Sequence, residues 1–214
     1  MCWNESVSLN TFLFSSFVLA LIIYNNSYTK YKIQELNNIW VYFFLASIIF
    51  IQLIEFFIWR NINNKFYNNI FSIAATLLLL IQPIASMMLL SNIELRNLLI
   101  ILYLSFVIPY SIYKFSTIHV HSVISQDGHL RWIFVQASPI IFFLWLFFFL
   151  FSIFYDKKWT FLIFAVTSLL SAYINYKNDH SVGSIWCWSV NLFAIYYVFY
   201  LLIYLPFLEK QNIC

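Results

Sequence analysis

The residues of this chain that could do chemistry are few, and their spacing pairs them. Glu55 stands in the run IFIQLIEFFIW, and Gln52, Glu55 and Trp59 follow the i, i+3, i+7 rule that puts them on one helical face. A charged side chain in hydrocarbon costs on the order of 2.5–3.5 kcal/mol on insertion scales, so it is usually functional or paired. Arg60 and Arg131 are the candidate structural partners; a ligand or a general-base role is the functional reading. Further on, DHSVGSIWCWSVN places Ser184, Cys187 and Asn191 at i, i+3, i+7, a polar stripe flanked by Trp186 and Trp188. Gly183 and Ser184 are small enough for close helix contact, and Asn191 can hydrogen-bond to another helix. The tryptophans suit a membrane interface. An apolar setting disfavours the thiolate, which argues against Cys187 as a nucleophile.

A second group is rich in imidazole. The segment KFSTIHVHSVISQDGHLRW carries His119 and His121 at i, i+2, which share a face on a strand or irregular segment but not on a helix, and Asp127, Gly128 and His129 in an expected turn. Together His119, His121, His180 and Asp179 supply the side-chain types that hold zinc. The spacing signatures HExxH and CxxC are absent from the sequence. The plainer reading is a set of solvated loop histidines.

Elements that could position these groups must be membrane helices. Of 214 residues, 63% are hydrophobic and 9% charged, with a mean hydropathy of +0.83; an ordinary soluble domain is about 25% charged. A water-soluble exterior cannot be built from this composition. Seven apolar runs approach the length of about 20 residues that a spanning helix needs: 7–24, 39–59, 67–90, 95–113, 133–155, 159–175 and 182–208. Runs such as IIFFLWLFFFLF do not alternate as barrel strands must. The expected architecture is therefore an all-α polytopic bundle of about seven helices, one domain over 1–214, with the polar interval 114–131 as its longest loop. The start MCWNES carries an acid and no Lys or Arg, unlike a cleavable leader, so the first helix is expected to stay as an anchor. Cys2, Cys187 and Cys214 are too far apart to suggest a disulfide framework, and their odd number leaves a free thiol. High Phe, Tyr, Ile, Asn and Lys content beside 2 Gly fits an AT-rich coding sequence, which also accounts for the Asn-rich linkers NNSYTK and NINNKFYNN.

Seven helices put the termini on opposite sides. Sorting the loops by parity places all four histidines, both glycines, Cys2, Cys187 and Glu55 at or near the N-terminal face. Basic residues divide five (Arg60, Lys65, Lys114, Arg131, Lys177) against six (Lys30, Lys32, Arg96, Lys157, Lys158, Lys210), a balance that sets no orientation. No lysine lies in a helix interior for a retinal Schiff base, there is no Arg-rich voltage sensor or phosphate-cradling loop, and a net charge of +3 spread over both faces gives no nucleic-acid footprint. Pro83 follows Gln82 inside the third helix, a pair that can line a cavity or bend the helix.

MCWNESVSLNTF, QLIEFFIW and GSIWCWSVN together resemble an uncharacterised family of small seven-helix membrane proteins of large DNA viruses and protists, over nearly the whole chain. That resemblance implies a membrane protein of this size and no particular activity. A fainter similarity is to the seven-helix zinc hydrolases of the ceramidase and adiponectin-receptor class, which use three His, an Asp and a Ser. The matching inventory here is His119, His121, His180, Asp179 and Ser184, without that class's helix-embedded histidine spacing. The leading expectation is a multi-pass membrane protein with one polar pocket near the N-terminal face, made by Gln52, Glu55, Trp59, His180, Ser184, Cys187 and Asn191. It would bind or move a small polar molecule, an ion or a lipid head group. The alternatives are a membrane-embedded, zinc-dependent lipid hydrolase with Glu55 or Asp179 as base, and a structural or partner-binding membrane protein.

Overall fold

A computed structural model describes residues 4–133 and 138–211, with side chains through 208. The helices are α1 (Glu5–Tyr28), α2 (Ile39–Arg60), α3 (Lys65–Met87), α4 (Ile93–Thr117), α5 (Pro139–Tyr155), α6 (Trp159–Tyr176) and a final broken rod. That rod comprises α7 (Val182–Trp188), α8 (Val190–Phe199), a π-helical stretch (Tyr200–Tyr204) and α9 (Leu205–Gln211). Six of these helical segments, counting Val182–Leu208 as one, are long and apolar enough to cross a membrane, and α5 is an apolar helix of 17 residues. The chain is thus an all-α bundle and a multi-pass membrane protein.

Helix starts are set by side chains in the linkers. Asn4, Asn38, Asn64 and Asn92 each accept a hydrogen bond from a backbone N–H in the first turn of α1, α2, α3 and α4, and Ser138 does so for α5. Such caps satisfy donors that the helix itself leaves open. The asparagines read from sequence as a codon effect are therefore also helix stops and starts.

Two expected boundaries move. The interval read as a loop contains an antiparallel hairpin, β1 (Ser122–Ile124) on β2 (Leu130–Trp132), with Ser122 opposite Trp132. Its turn holds Gly128 at φ 79, and the Ser125 N–H donates to the His129 carbonyl at 2.8 Å. Because β2 takes up residues 130–132, the fifth helix begins at Pro139 instead of 133; residues 134–137 lie outside the described residues, as do Cys2 and Cys214. The expected run 67–90 is α3 over Lys65–Met87.

Helix α2 is central. Half of its apolar window (50%) is buried, against 11% for α6, and its main neighbours are α1 and α3. The inward face of α1 is a ladder of small polar residues, Ser8, Thr11 and Ser15, continued by Val18 and Ile22, while Leu13, Phe17 and Tyr24 point outward. In lipid there is no penalty for an apolar exterior, and small residues let helices approach closely. Helix α3 packs more extensively on α5 than on its sequence neighbour α4. Ser86 of α3 donates to the Phe149 carbonyl of α5 at 2.6 Å and meets Ser152 at 2.7 Å.

One end of the bundle is tied together by polar contacts. Asn68 of α3 bonds the Ile62 carbonyl and both backbone groups of Ser122, and Ser72 meets the Ser122 hydroxyl at 2.9 Å. The Asn69 amide reaches the Val120 carbonyl at 2.6 Å. Ser125 donates to Asp179 at 2.8 Å, and Arg60 faces Glu5 at 3.7 Å. The start of α1, the α2–α3 turn, the hairpin and the α6–α7 turn thus meet on one face.

Candidate functional site

Within this frame α2 carries Ile51, Gln52, Glu55 and Ile58 on its buried side. The Gln52 amide donates to Glu55 Oε2 at 2.8 Å, and both residues are 0% exposed. Ser184, 1% exposed on α7, is a second hydrogen-bonding neighbour of the same carboxyl. Among the described residues, Glu55 Oε1 and Gln52 Oε1 find no hydrogen bond of ordinary geometry. Glu55 forms no ion pair among the described residues; Arg60 is turned to Glu5 instead.

The stripe expected on the last helix is divided by its break at Ser189. Ser189 Oγ and N–H both donate to the Trp186 carbonyl, at 2.6 and 3.0 Å, and Leu192 N–H donates to the Ser189 carbonyl at 3.0 Å. These shorter-range bonds tighten the turn and end the regular α repeat. Before the break Ser184 neighbours Glu55 and Cys187 packs with Ile51, Ile58, Leu130 and Trp132; beyond it Asn191 donates to Thr11 on α1 at 2.9 Å. Asn191 thus serves the α1 ladder and not the carboxyl. An interhelical bond of this kind in a membrane protein averages about 0.6 kcal/mol with a maximum near 1.7; Asn191→Leu is therefore expected to lower stability by about 1 kcal/mol without loss of fold, measured by unfolding in detergent.

Trp59 packs beside Ile58 at the edge of the same cluster, with its indole N–H buried and without a hydrogen-bond partner among the described residues. His180 is exposed at the α6–α7 turn with φ 56. His121 Nδ1 lies 2.8 Å from the His119 carbonyl, Asp179 is taken by Ser125, and His129 sets its ring edge-on against Tyr176 at 5.2 Å. His119, His121, His180 and Asp179 do not assemble: among the described residues no group of three or more His, Cys, Asp or Glu side chains converges as a metal site.

The larger feature is one that residue spacing did not reveal. An apolar cavity of about 220 Å³ is lined by residues of α2, α3, α4, α5, α6, α7 and α8, with Val120 and Trp132 contributing from the hairpin region. Gln52, Glu55 and Ser184 do not line it; of the expected pocket residues only Cys187 does. Its walls are aromatic: Trp145 stacks on Phe149 at 4.9 Å, and Trp186 meets both edge-on at 6.4 and 5.7 Å. Many of the polar atoms on these walls are bonded to the protein itself. Trp145 Nε1 donates to the Leu79 carbonyl, Trp186 Nε1 to Ser168, Tyr103 to the Leu80 carbonyl, Thr76 to the Ser72 carbonyl and Gln82 to the Ser47 carbonyl. At one end Tyr110, Ser111 and Lys114 of α4 give the lining its charged part, with Lys114 Nζ 5.7 Å from the Tyr110 ring centre. Pro109 precedes this stretch, and Val107 is the last α4 residue in the packed cluster with Tyr103 and Phe148.

No family model, no curated protein and no solved structure matches this chain.

Proposed function

We propose that this multi-pass membrane protein holds one lipid molecule of the surrounding bilayer, its hydrocarbon chain in the aromatic cavity and its polar end beside Lys114. The cavity carries this reading. The wall hydroxyls of Thr76, Tyr103, Ser168 and Ser189, the Gln82 amide N–H and the indoles of Trp145 and Trp186 are already engaged with the protein, so a small polar solute beside them would lose its water without replacement, at a cost of about 1–3 kcal/mol per group. A hydrocarbon chain loses nothing of the kind and gains contact with packed rings. Among the functions expected from sequence, lipid binding is thus favoured over a small polar ligand. The likeness of MCWNESVSLNTF and GSIWCWSVN to the viral and protist seven-helix family is a separate proposal and supplies no ligand.

The test is lipid retention. Native mass spectrometry of the purified protein is expected to show one retained lipid per chain. Ala165, a cavity-wall residue on α6, replaced by Trp is expected to weaken retention at least about tenfold, equivalent to about 1.4 kcal/mol. Ile163→Trp, on the exposed side of the same helix, is expected to leave it unchanged. Unchanged retention in a folded Ala165→Trp protein would remove the reading.

A further inference from the structure

The Gln52–Glu55 pair lies outside the cavity and has chemistry that lipid binding does not use. Glu55 is fully buried, whereas every other acid whose side chain is described is exposed or half-buried. One hydrogen bond already joins the two side chains, from Gln52 Nε2 to Glu55 Oε2 at 2.8 Å. The atoms left over are Glu55 Oε1 and Gln52 Oε1. Both are acceptors, and they belong to the same two groups. The Ser184 hydroxyl neighbours the carboxyl, but one hydroxyl proton cannot serve both acceptors, and between the two oxygens themselves there is no donor.

We propose that Gln52 and Glu55 form a buried proton-binding site, in which one proton on Glu55 Oε1 is donated to Gln52 Oε1 and closes a neutral acid–amide ring of two antiparallel hydrogen bonds. Uptake forms one O–H bond from a solvent proton, and release returns that proton to solvent. The uncharged ring satisfies both orphan acceptors at once, and a buried pair that is fully bonded avoids the penalty of a lone charge. Among the described residues no cation forms an ion pair with the carboxyl. On α7 the neighbours are Ser184 and the thiol Cys187. Helix α3 presents neutral Asn68, Ser72 and Ala75 on its buried side, with Lys65 exposed at its start. Arg131 is half-buried on β2, His129 is set against Tyr176, and Glu5 of α1 faces Arg60. None of these forms an ion pair with Glu55 among the described residues.

Infrared spectroscopy reads this directly. Purified wild-type protein at neutral pH, in a detergent free of ester carbonyls, is expected to show the carbonyl band of one neutral carboxyl per chain, shifted in heavy water. Glu55→Gln is expected to remove that band. Glutamine can make the same two bonds to Gln52, so the unfolding equilibrium constant of Glu55→Gln is expected to stay within about threefold of wild type, since a shape-matched replacement is near neutral. A wild-type spectrum with no neutral-carboxyl band overturns the proposal, as does sodium or potassium bound stoichiometrically to wild type and lost in Glu55→Gln. If Glu55→Gln fails to fold, the wild-type band and its loss on raising the pH decide alone.

Discussion

Replacing Asn68 by leucine is expected to destabilise the protein by about 3 kcal/mol and to release the hairpin before the helices unfold. Asn68 is buried, and its amide makes four contacts. It donates to the carbonyls of Ile62 and Ser122 at 3.1 and 2.9 Å, and accepts from the Ser122 N–H at 2.9 Å and the Ser72 hydroxyl at 3.2 Å. Leucine fills a similar volume but leaves the buried backbone groups of Ser122 and the half-buried Ile62 carbonyl without the Asn68 amide, and each buried group left unpaired costs about 1–3 kcal/mol. Asn69 alone then holds Val120. Hydrogen exchange and limited proteolysis are expected to show protection lost first in 118–133, with the helices unchanged. Equal loss throughout the bundle would show that Asn68 acts on global packing and not on docking.

Trp132→Ala is expected to cost about 3–5 kcal/mol, the range for removing a large buried aromatic. Trp132 is 4% exposed and packs with Ile51, Ile58 and Cys187. Gly183 lies directly beneath it, where a Cβ would sit 3.1–3.2 Å from the indole ring. The same ring is part of the cavity wall, as is Cys187. Its loss widens the cavity beside Cys187. A membrane-permeable thiol reagent is accordingly expected to label Cys187 in the variant at least about tenfold faster than in the parent, since labelling follows access. Both proteins carry Cys2→Ser and Cys214→Ser so that only Cys187 reports. Gly183→Ala asks the indole to give by only a few tenths of an ångström, and its expected cost is about 1 kcal/mol.

Much of this protein was decided by sequence because the bilayer imposes a simple rule. Backbone groups in hydrocarbon must be bonded within the segment, so each long apolar run must be a helix. Hence α2, α4 and α6 lie where hydropathy puts them. The i, i+3 spacing placed Gln52 and Glu55 on one face, and the expense of a lone acid called for a partner, but the letters pointed to Arg60 or Arg131, whereas the partner is Gln52. The asparagine caps were visible as letters, but an AT-rich composition hid their purpose, since bias and capping predict the same residue.

What tertiary structure alone decided is where each polar face points. Periodicity placed Ser184, Cys187 and Asn191 on one stripe; Ser184 and Cys187 stay on α7, beside Glu55 and in the cavity wall, but the local bonds at Ser189 break the repeat and send Asn191 to Thr11. The hairpin was unreadable because strands of three residues have too short a period; Asn68 and Ser72, distant in sequence, hold it. The cavity had no sequence signal at all. Its aromatic residues are the same types that face lipid elsewhere, and only packing that turns Trp145 and Trp186 inward, with their indole nitrogens bonded to α3 and α6, makes a chamber of them.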